Sequence, residues 1–553
     1  MTKTPRLLLT TSTVDASDAY VAYAPPMGLY MLKHAVERRG IECDVADRSL
    51  QPELEAELLA RIERGHYGIV GFSVSHHNML GDLETLWRFR AAAARSPKPC
   101  LLIGGGQEAT LNHEEWLKAG MDAVFLGFAQ DALVEFAQAW LDAAAPDAGP
   151  VASKVDGVAF RSSGGAVTYR PSPRLDPETF SRYFHDDVRA MHVPFRVYWS
   201  RLQQDAATLN FNRNRFVSET VRLYTSSHCP QTCGFCSSQA FLPESQGGRS
   251  AVSMLTAEQV FDLVRMHVET YGARCFLFAD DDFLVGNRVG IRRALDFCRA
   301  ISRAKAKGDL PEELMLNSQA RVADFFHTDG SGRRALDLEL VSALAAAGFH
   351  GIGLGVETFS DRLLASPSIH KVGIREADCR VVLDALMAAG LNPTINIILM
   401  VPESTVDDLV HSVEVAAEYL LKGCQVSVTT FMNSFPGARV HGRSDYPATF
   451  RVLEGPGGER VTYTDVLVPH DPRLAAIMDG VKGAAAEEQE RATNRYFDGS
   501  GGLPKAISSL TTFLAVAKLL NRRDVAERVS SAIRLLAARN RAASEPARAA
   551  AAG

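Results

Sequence analysis

No apolar run in this chain of 553 residues approaches the roughly 20 that a bilayer-spanning helix needs, and INIILMV at Ile395–Val401 is among the most apolar. The sequence therefore predicts no membrane partner. An excess of basic charge is also missing: 59 Lys and Arg against 65 Asp and Glu leave a net charge of -6, so nucleic acid is not a leading partner. The first residues, MTKTPRLLLTTSTVDAS, lack the long apolar stretch of an export signal, which points to a cytoplasmic protein. Repeats of solenoid period are absent as well. Cysteine is sparse, with nine residues in all. Six of them, Cys43, Cys100, Cys275, Cys298, Cys379 and Cys424, stand singly among apolar neighbours, as buried structural thiols do. The other three crowd into HCPQTCGFC, His228 to Cys236.

What is present is alternation. From Arg6 to about residue 142, short β-rich runs (RLLLTTS, IECDVAD, YGIVGFSVS, CLLIGGG, AVFLG) alternate with helical stretches. Near-continuous apolar strands joined by helices predict an α/β fold with a doubly wound, Rossmann-like parallel sheet, whose ligands sit at the strand C-termini. AAAPDAGP at Ala143–Pro150 reads as a linker, and DGVAFRSSGGAVTYRPSPRL as a hairpin turning at Ser162 to Gly165 before an irregular connector. A second β-α series starts near Val221, with strands at LYTSS, CFLFADDD, LMLNSQAR, GIGLGVE, TINIILMV and CQVSVTTF. Six such units predict a full or partial (β/α) barrel with its site at the strand C-termini. Beyond Pro436 come an extended Gly-rich stretch and helices. The expected domains are 1–145, a linker and hairpin over 146–216, the barrel at 217–436, a mainly helical C-terminal element at 437–540, and a disordered tail at 541–553.

In a reducing compartment, clustered thiols read as metal ligands rather than disulfides. Cys229, Cys233 and Cys236 follow a strand at CxxxCxxC spacing. A structural zinc site wants four protein ligands, and His228, adjacent to Cys229, is an awkward fourth. Three thiolates on an iron-sulfur cube leave one iron open for a substrate or cofactor.

This motif resembles that of the radical S-adenosylmethionine superfamily. The resemblance implies a four-iron, four-sulfur (4Fe-4S) cluster on the three cysteines, with S-adenosylmethionine chelated to the open iron and an electron donor as partner. It also implies a set of S-adenosylmethionine contacts: Phe235 before the last cysteine, Asp281 in FADDDF, Arg321 ending SQAR, Glu357 in GLGVETFS, and Asn396 before VPEST. That turn departs from the family's NxxxGxPxET pattern, with Met400 for the glycine and Ser404 for the glutamate. Considered singly, Asp280, Asp282 and Arg321 are also what helix caps or surface ion pairs look like.

The first 140 or so residues resemble the cobalamin-binding domain that precedes the radical domain in one large subgroup. That implies cobalamin against Ser73, Ser75, Gly104, Gly105, Gly106, Gln107, Thr110 and Gly127. The DxHxxG motif that supplies a cobalt ligand elsewhere is absent, and His76 and His77 read as polar residues of a strand-end loop. The implied function is class B methyl transfer from methylcobalamin to a carbon of a small-molecule substrate, such as a natural-product intermediate. Cyclisation, ring contraction or rearrangement without net methyl transfer is the alternative, and a non-catalytic metal- or cobalamin-binding module is the rival of another class. Methylthio transfer would need a second cysteine triplet, which Cys43 and Cys100 cannot make. Tyr463, His470, Tyr496 and Phe497 are candidates for a substrate pocket, with core packing as the equal alternative.

Overall fold

The computed structural model describes residues 6–11, 24–142, 148–209, 219–328, 333–496 and 504–551. Its first sheet is built from β1 (Arg6–Thr11), β2 (Cys43–Ala46), β3 (Tyr67–Ser73), β4 (Leu101–Gly105) and β5 (Ala123–Phe125). These run parallel in the order β2-β1-β3-β4-β5. Leu7 and Leu9 of β1 enter one buried cluster with Ile69, Phe125 and Phe136, while Leu8 between them enters another with Phe72, Phe89 and Trp116. Both faces are covered, so consecutive positions at the centre of β1, Leu7 to Leu9, are apolar. The covering helices are α1 (Met27–Glu37), α2 (Glu55–Glu63), α3 (Met79–Ala94), α4 (Gln107–Leu111), α5 (His113–Lys118) and α6 (Gln130–Asp142). The chain reverses its winding between β1 and β3, which opens a crevice at their C-terminal ends.

The hairpin expected within the linker forms, but it belongs to this sheet. β6 (Val158–Arg161) and β7 (Val167–Tyr169) extend the β5 edge in antiparallel sense. The connector expected to be irregular is largely helical, with helices over Pro177–Ser181, Asp187–Ala190 and Phe195–Leu209. Phe195, Tyr198, Trp199 and Leu202 recur at helical spacing, and all are buried.

The second sheet contains β8 (Thr220–Leu223), β9 (Cys275–Phe278) and β10 (Met315–Arg321), then, after a small hairpin of β11 (Phe326–Thr328) and β12 (Arg334–Leu336), β13 (Phe349–Glu357), β14 (Asn392–Met400) and β15 (Gln425–Phe431). Its six strands are parallel in the order β8-β9-β10-β13-β14-β15. Six strands with two edges make a partial barrel. Around it lie α7 (Ser238–Gln246), α8 (Ala257–Tyr271), α9 (Arg288–Lys307), α10 (Leu338–Ala347), α11 (Glu376–Ala388) and α12 (Val406–Lys422). Local signals set their ends: Thr256 and Gln259 form a reciprocal cap at the start of α8, and Gly272 closes it at φ +74°.

Both barrel edges are covered. Trp199 Nε1 donates to the Thr220 carbonyl at the start of β8 at 3.2 Å, and Ser509 Oγ donates to the Val426 carbonyl of β15 at 2.9 Å. Ser509 lies on α14 (Lys505–Leu519), which follows β16 (Ala448–Glu454), β17 (Arg460–Leu467) and α13 (Met478–Tyr496). Among the described residues, the C-terminal element therefore shows no core of its own. Leu510, Phe513 and Val529 share the barrel core, and Val461 of β17 joins the core of the first sheet. The last helix, α15 (Arg523–Ala551), continues over the stretch from 541 expected to be disordered; its alanines favour helix without needing apolar bulk. Residues 552–553 and much of the expected linker, 143–147, lie outside the described residues. Among the described residues, no helix is long and apolar enough to cross a membrane.

Candidate active site

The loop after β8 carries the three cysteines, all free thiols and half-buried. Two devices shape it. The Asp280 carboxylate accepts from Thr225 N (2.7 Å), Thr225 Oγ1 (2.6 Å), Ser226 N (2.6 Å) and Ser226 Oγ (2.9 Å), so the chain entering the loop is tied to the end of β9. Gly234 lies so close to the segment after β13 that an added Cβ would fall 2.1 Å from the Pro367 carbonyl oxygen. Gln239 Nε2 then donates to the carbonyls of Cys233 (3.3 Å) and Cys236 (3.2 Å).

Burial pushes the Cys236 thiol up to about 12 and raises Cys229 and Cys233 too, with the Lys371 ammonium opposing the shift at Cys233. Thiolates in such a setting need cationic partners, which cluster irons supply. His228 is buried, its Nδ1 is 3.0 Å from Ser227 Oγ, and burial lowers its pKa. Among the described residues, no three His, Cys, Asp or Glu groups form a site for a metal ion. The donor set fits a cluster taking one thiolate per iron better than a single tetrahedral ion that includes His228.

Of the expected strand-end residues, Asp281, Arg321 and Glu357 lie near this loop, with Arg321 and Glu357 acting electrostatically on Cys233. Asp281 is exposed and accepts a hydrogen bond from Ser238 Oγ, two residues past Cys236. Phe235 is half-buried against the barrel core. Arg321 ends β10 with one guanidinium nitrogen 3.7 Å from Asp324 Oδ1 and a buried Nε without a partner, which leaves a donor for an anionic group. Glu357 ends β13 in the left-handed region at φ +66°. A glutamate held there is strained, as residues at functional sites often are. Lys371 Nζ holds it, at 2.7 Å from Glu357 Oε1, and also donates to the Gly355 carbonyl. Asn396 pairs with Gly355 and Ser427 in the sheet, and its Nδ2 donates to Gln319 Oε1 at 3.2 Å.

A cavity of about 550 Å³ opens at the C-terminal ends of the first sheet. Ser73, Ser75, Gly104, Gly105, Gly106, Gln107 and Gly127 line it, and Arg222, Tyr224 and Phe241 close it from the barrel side. Its lining is mostly apolar, as a site for a large ring requires. Thr110 is buried beside the cavity lining, where its Oγ1 donates to the Gly106 carbonyl and accepts from Gly127 N, both at 2.9 Å. Its hydroxyl holds two glycine turns together. Gly104 is required by packing below the sheet, since a Cβ there would fall 2.3 Å from Met121 sulfur, whereas Gly105 has only contacts at 3.9 Å. Gln107 Nε2 reaches across to Ser237 Oγ at 3.1 Å, so the cavity rim touches the residue after Cys236.

The C-terminal candidates do not share one pocket. Tyr463 packs on His76, with ring centroids 4.9 Å apart. His470 lies elsewhere, its Nε2 3.0 Å from the Asp445 carbonyl, Tyr496 packs on the barrel core, and Phe497 is outside the described residues. Sequence reading passed over Lys371 and Asp324, and gave Asp280 and Asp282 no role beyond helix caps or surface ion pairs. A lone lysine in the apolar stretch SIHKVGI was the available signal for the first; pairing across strands left none for the others.

Residues 17–137 match the family model of the B12 binding domain, and residues 223–416 match that of the Radical SAM superfamily. Among solved structures, the radical S-adenosylmethionine methyltransferase TsrM from Kitasatospora setae, with cobalamin and a [4Fe-4S] cluster bound, superposes at TM-score 0.62 and 16% identity. That match covers 96% of this chain and 99% of TsrM. The cobalamin-dependent S-adenosylmethionine radical enzyme OxsB, with aqua-cobalamin bound, superposes at TM-score 0.62 and 12% identity, covering 98% of this chain and 81% of OxsB. A second TsrM structure, with tryptophan substrate and the analog aza-SAM, gives TM-score 0.59 at 15% identity, with 95% and 99% covered. At these identities the likeness is one of fold. No curated protein matches the chain.

Proposed function

From the premise that this chain is a cobalamin-dependent radical S-adenosylmethionine enzyme, we propose that it transfers a methyl group to a carbon atom of a small molecule. The observation that carries the reading is the 3.1 Å contact of Gln107 with Ser237, which joins the rim of the cavity on the first sheet to the end of the cysteine loop. Two binding elements that touch can serve one substrate held between them. TsrM, of the same fold over nearly the whole chain, is a methyltransferase whose structure holds a tryptophan substrate.

When bound, the cluster with S-adenosylmethionine supplies one-electron chemistry at a carbon–hydrogen bond, and cobalamin supplies the methyl group. The chain's own residues bind, orient and exclude water. Cys229, Cys233 and Cys236 hold the irons, Asp280 and Gly234 fix their loop, and Asp281, Arg321, Glu357 and Asn396 offer polar groups at four strand ends for S-adenosylmethionine. Ser73, Ser75, Gly105, Gly106, Gln107 and Gly127 wall the cobalamin. Phe128, Tyr224 and Phe241 keep that cavity apolar, which protects a reactive centre from water.

Anaerobic reconstitution with both cofactors, followed by incubation with S-adenosylmethionine and candidate substrates, tests this. Methyl transfer yields S-adenosylhomocysteine and a methylated product in step. Turnover that gives 5'-deoxyadenosine alone with an unmethylated product favours rearrangement. No turnover of S-adenosylmethionine under any condition favours a non-catalytic binding module.

A further inference from the structure

The proposed chemistry requires electrons, and the outer rim of the cysteine loop has the build of a place where they enter. Pro230 and Thr232 are exposed at its tip. Consecutive residues of that tip touch two flanks. Gln231 lies against Gly286, where an added Cβ would fall 2.6 Å from Gln231 Nε2. Thr232 Oγ1 is 3.2 Å from His370 Nδ1, and the Thr232 carbonyl accepts from Arg439 at 3.3 Å. One flank runs on into Arg288, Val289 and Arg292 of α9, the other into Val372 and Arg375 before α11.

Two features of this rim run against folding stability. Val289 and Val372 are 67% and 71% exposed, large values for β-branched apolar residues. Arg288 and Arg375 stand at the first position of α9 and the N-cap of α11, where the helix dipole disfavours a cation. Among the described residues, the guanidinium groups of Arg288, Arg292, Arg375 and Arg439 form no ion pair with a carboxylate, although the Arg375 backbone amide donates to Asp378 Oδ2 at 2.9 Å. Nearby carboxylates are engaged: Asp378 with Arg334 at 3.1 Å, Glu403 with Tyr446 at 2.8 Å, and buried Asp324 with Arg321 at 3.7 Å. The result is a cationic, partly apolar rim on a chain whose net charge is -6.

We propose that this rim is the docking face for an acidic one-electron carrier protein, an inference that rests on the radical reading of the same loop. Charge complementarity would steer the carrier to the tip, and the two valines would give the encounter its apolar centre. The reduced carrier gives up one electron and the cluster gains it; no bond forms or breaks in that step.

The test uses reconstituted holoenzyme and a purified acidic flavodoxin as the probe. Binding of oxidised flavodoxin is measured by calorimetry at low and high salt, and consumption of S-adenosylmethionine is measured separately with dithionite as reductant. Wild type should bind at low salt and weaken as salt rises. The Arg288→Glu, Arg292→Glu double variant, which leaves the Arg439 contact with the loop intact, should bind about tenfold more weakly or worse, with a shallower salt dependence. Val372→Asp should also weaken binding, and dithionite-driven turnover of both variants should match wild type. Wild-type binding that is absent or insensitive to salt, or variants that bind as wild type does, would overturn the proposal. If dithionite drives no turnover in wild type while the variants still lose binding, the functional reading fails and the docking face stands.

Discussion

Replacing Asp280 by alanine removes one carboxylate and unties the corner from which the cysteine loop departs. Asp280 is 2% exposed and satisfies two backbone amides and two hydroxyls of Thr225 and Ser226. Each amide left buried without an acceptor costs about 1–3 kcal/mol. Arg293, which donates to the Thr225 carbonyl at 2.9 Å, would also lose the negative charge that keeps its buried guanidinium charged. These losses share partners and do not add, so a net cost of about 3–5 kcal/mol is expected for Asp280→Ala. For a unit the size of the barrel that lowers the melting temperature by roughly 10 °C. Because Cys229 lies three residues beyond Ser226, iron content after reconstitution should fall with it. Asp280→Asn keeps an acceptor for the amides and should lose less of both. Thermal unfolding and iron analysis on the same samples check this. An alanine variant with wild-type melting and full iron would refute the view that Asp280 sets the loop.

Further outcomes follow from the same contacts. Gly234→Ala places a Cβ 2.1 Å from the Pro367 carbonyl oxygen, so iron incorporation should drop severely while absorption of cobalamin bound to the first sheet persists. Lys371→Met leaves Glu357 buried without its 2.7 Å partner, with an expected loss of about 3–5 kcal/mol in denaturant unfolding; the double variant with Glu357→Gln should recover part of it. Gly105→Leu projects into the first-sheet cavity with little in its way, so cobalamin retention on a desalting column should fall at least tenfold while the cluster spectrum is unchanged. Burial and the neighbouring Asp324 push the Asp282 carboxyl up to about 8, against the pull of Arg321. It therefore binds its proton more tightly in the folded chain than in the unfolded one, and that contribution to stability is lost as pH rises from about 4 through 8. Denaturant midpoints of Asp282→Asn should accordingly show a flatter decline over that window.

Much of this was legible in the sequence because it depends on local rules. Strands buried on both faces must read as apolar runs, so both parallel sheets could be drawn from RLLLTTS, CLLIGGG, GIGLGVE and their neighbours. The cysteine loop declared itself by spacing. The connector over Phe195–Leu209 is helical on a spacing of apolar residues that was present but diluted by polar neighbours, and the hairpin at β6 and β7 showed its turn but not its partner strand. Contacts between distant segments were not legible. The burial of Thr110 and its hydroxyl's two bonds to the turns at Gly106 and Gly127 depend on a pairing of distant segments that the sequence does not announce. Nothing near Glu357 in the sequence announces a left-handed backbone, and Lys371 reaches it only because the chain after β13 folds back over the strand end. The C-terminal element looked separate because its composition changes; its apolar residues are shared between two cores that composition cannot assign.

The central claim is that one chain holds an iron-sulfur cluster and a cobalamin at adjoining sites. Anaerobic reconstitution followed by iron and cobalamin analysis and paramagnetic resonance tests it most directly. The account predicts one cluster and one cobalamin per chain, with Cys236→Ala losing the cluster signal and Gly105→Leu losing the cobalamin signal, each largely sparing the other. A protein that assembles its cluster yet retains no cobalamin under any condition would contradict it.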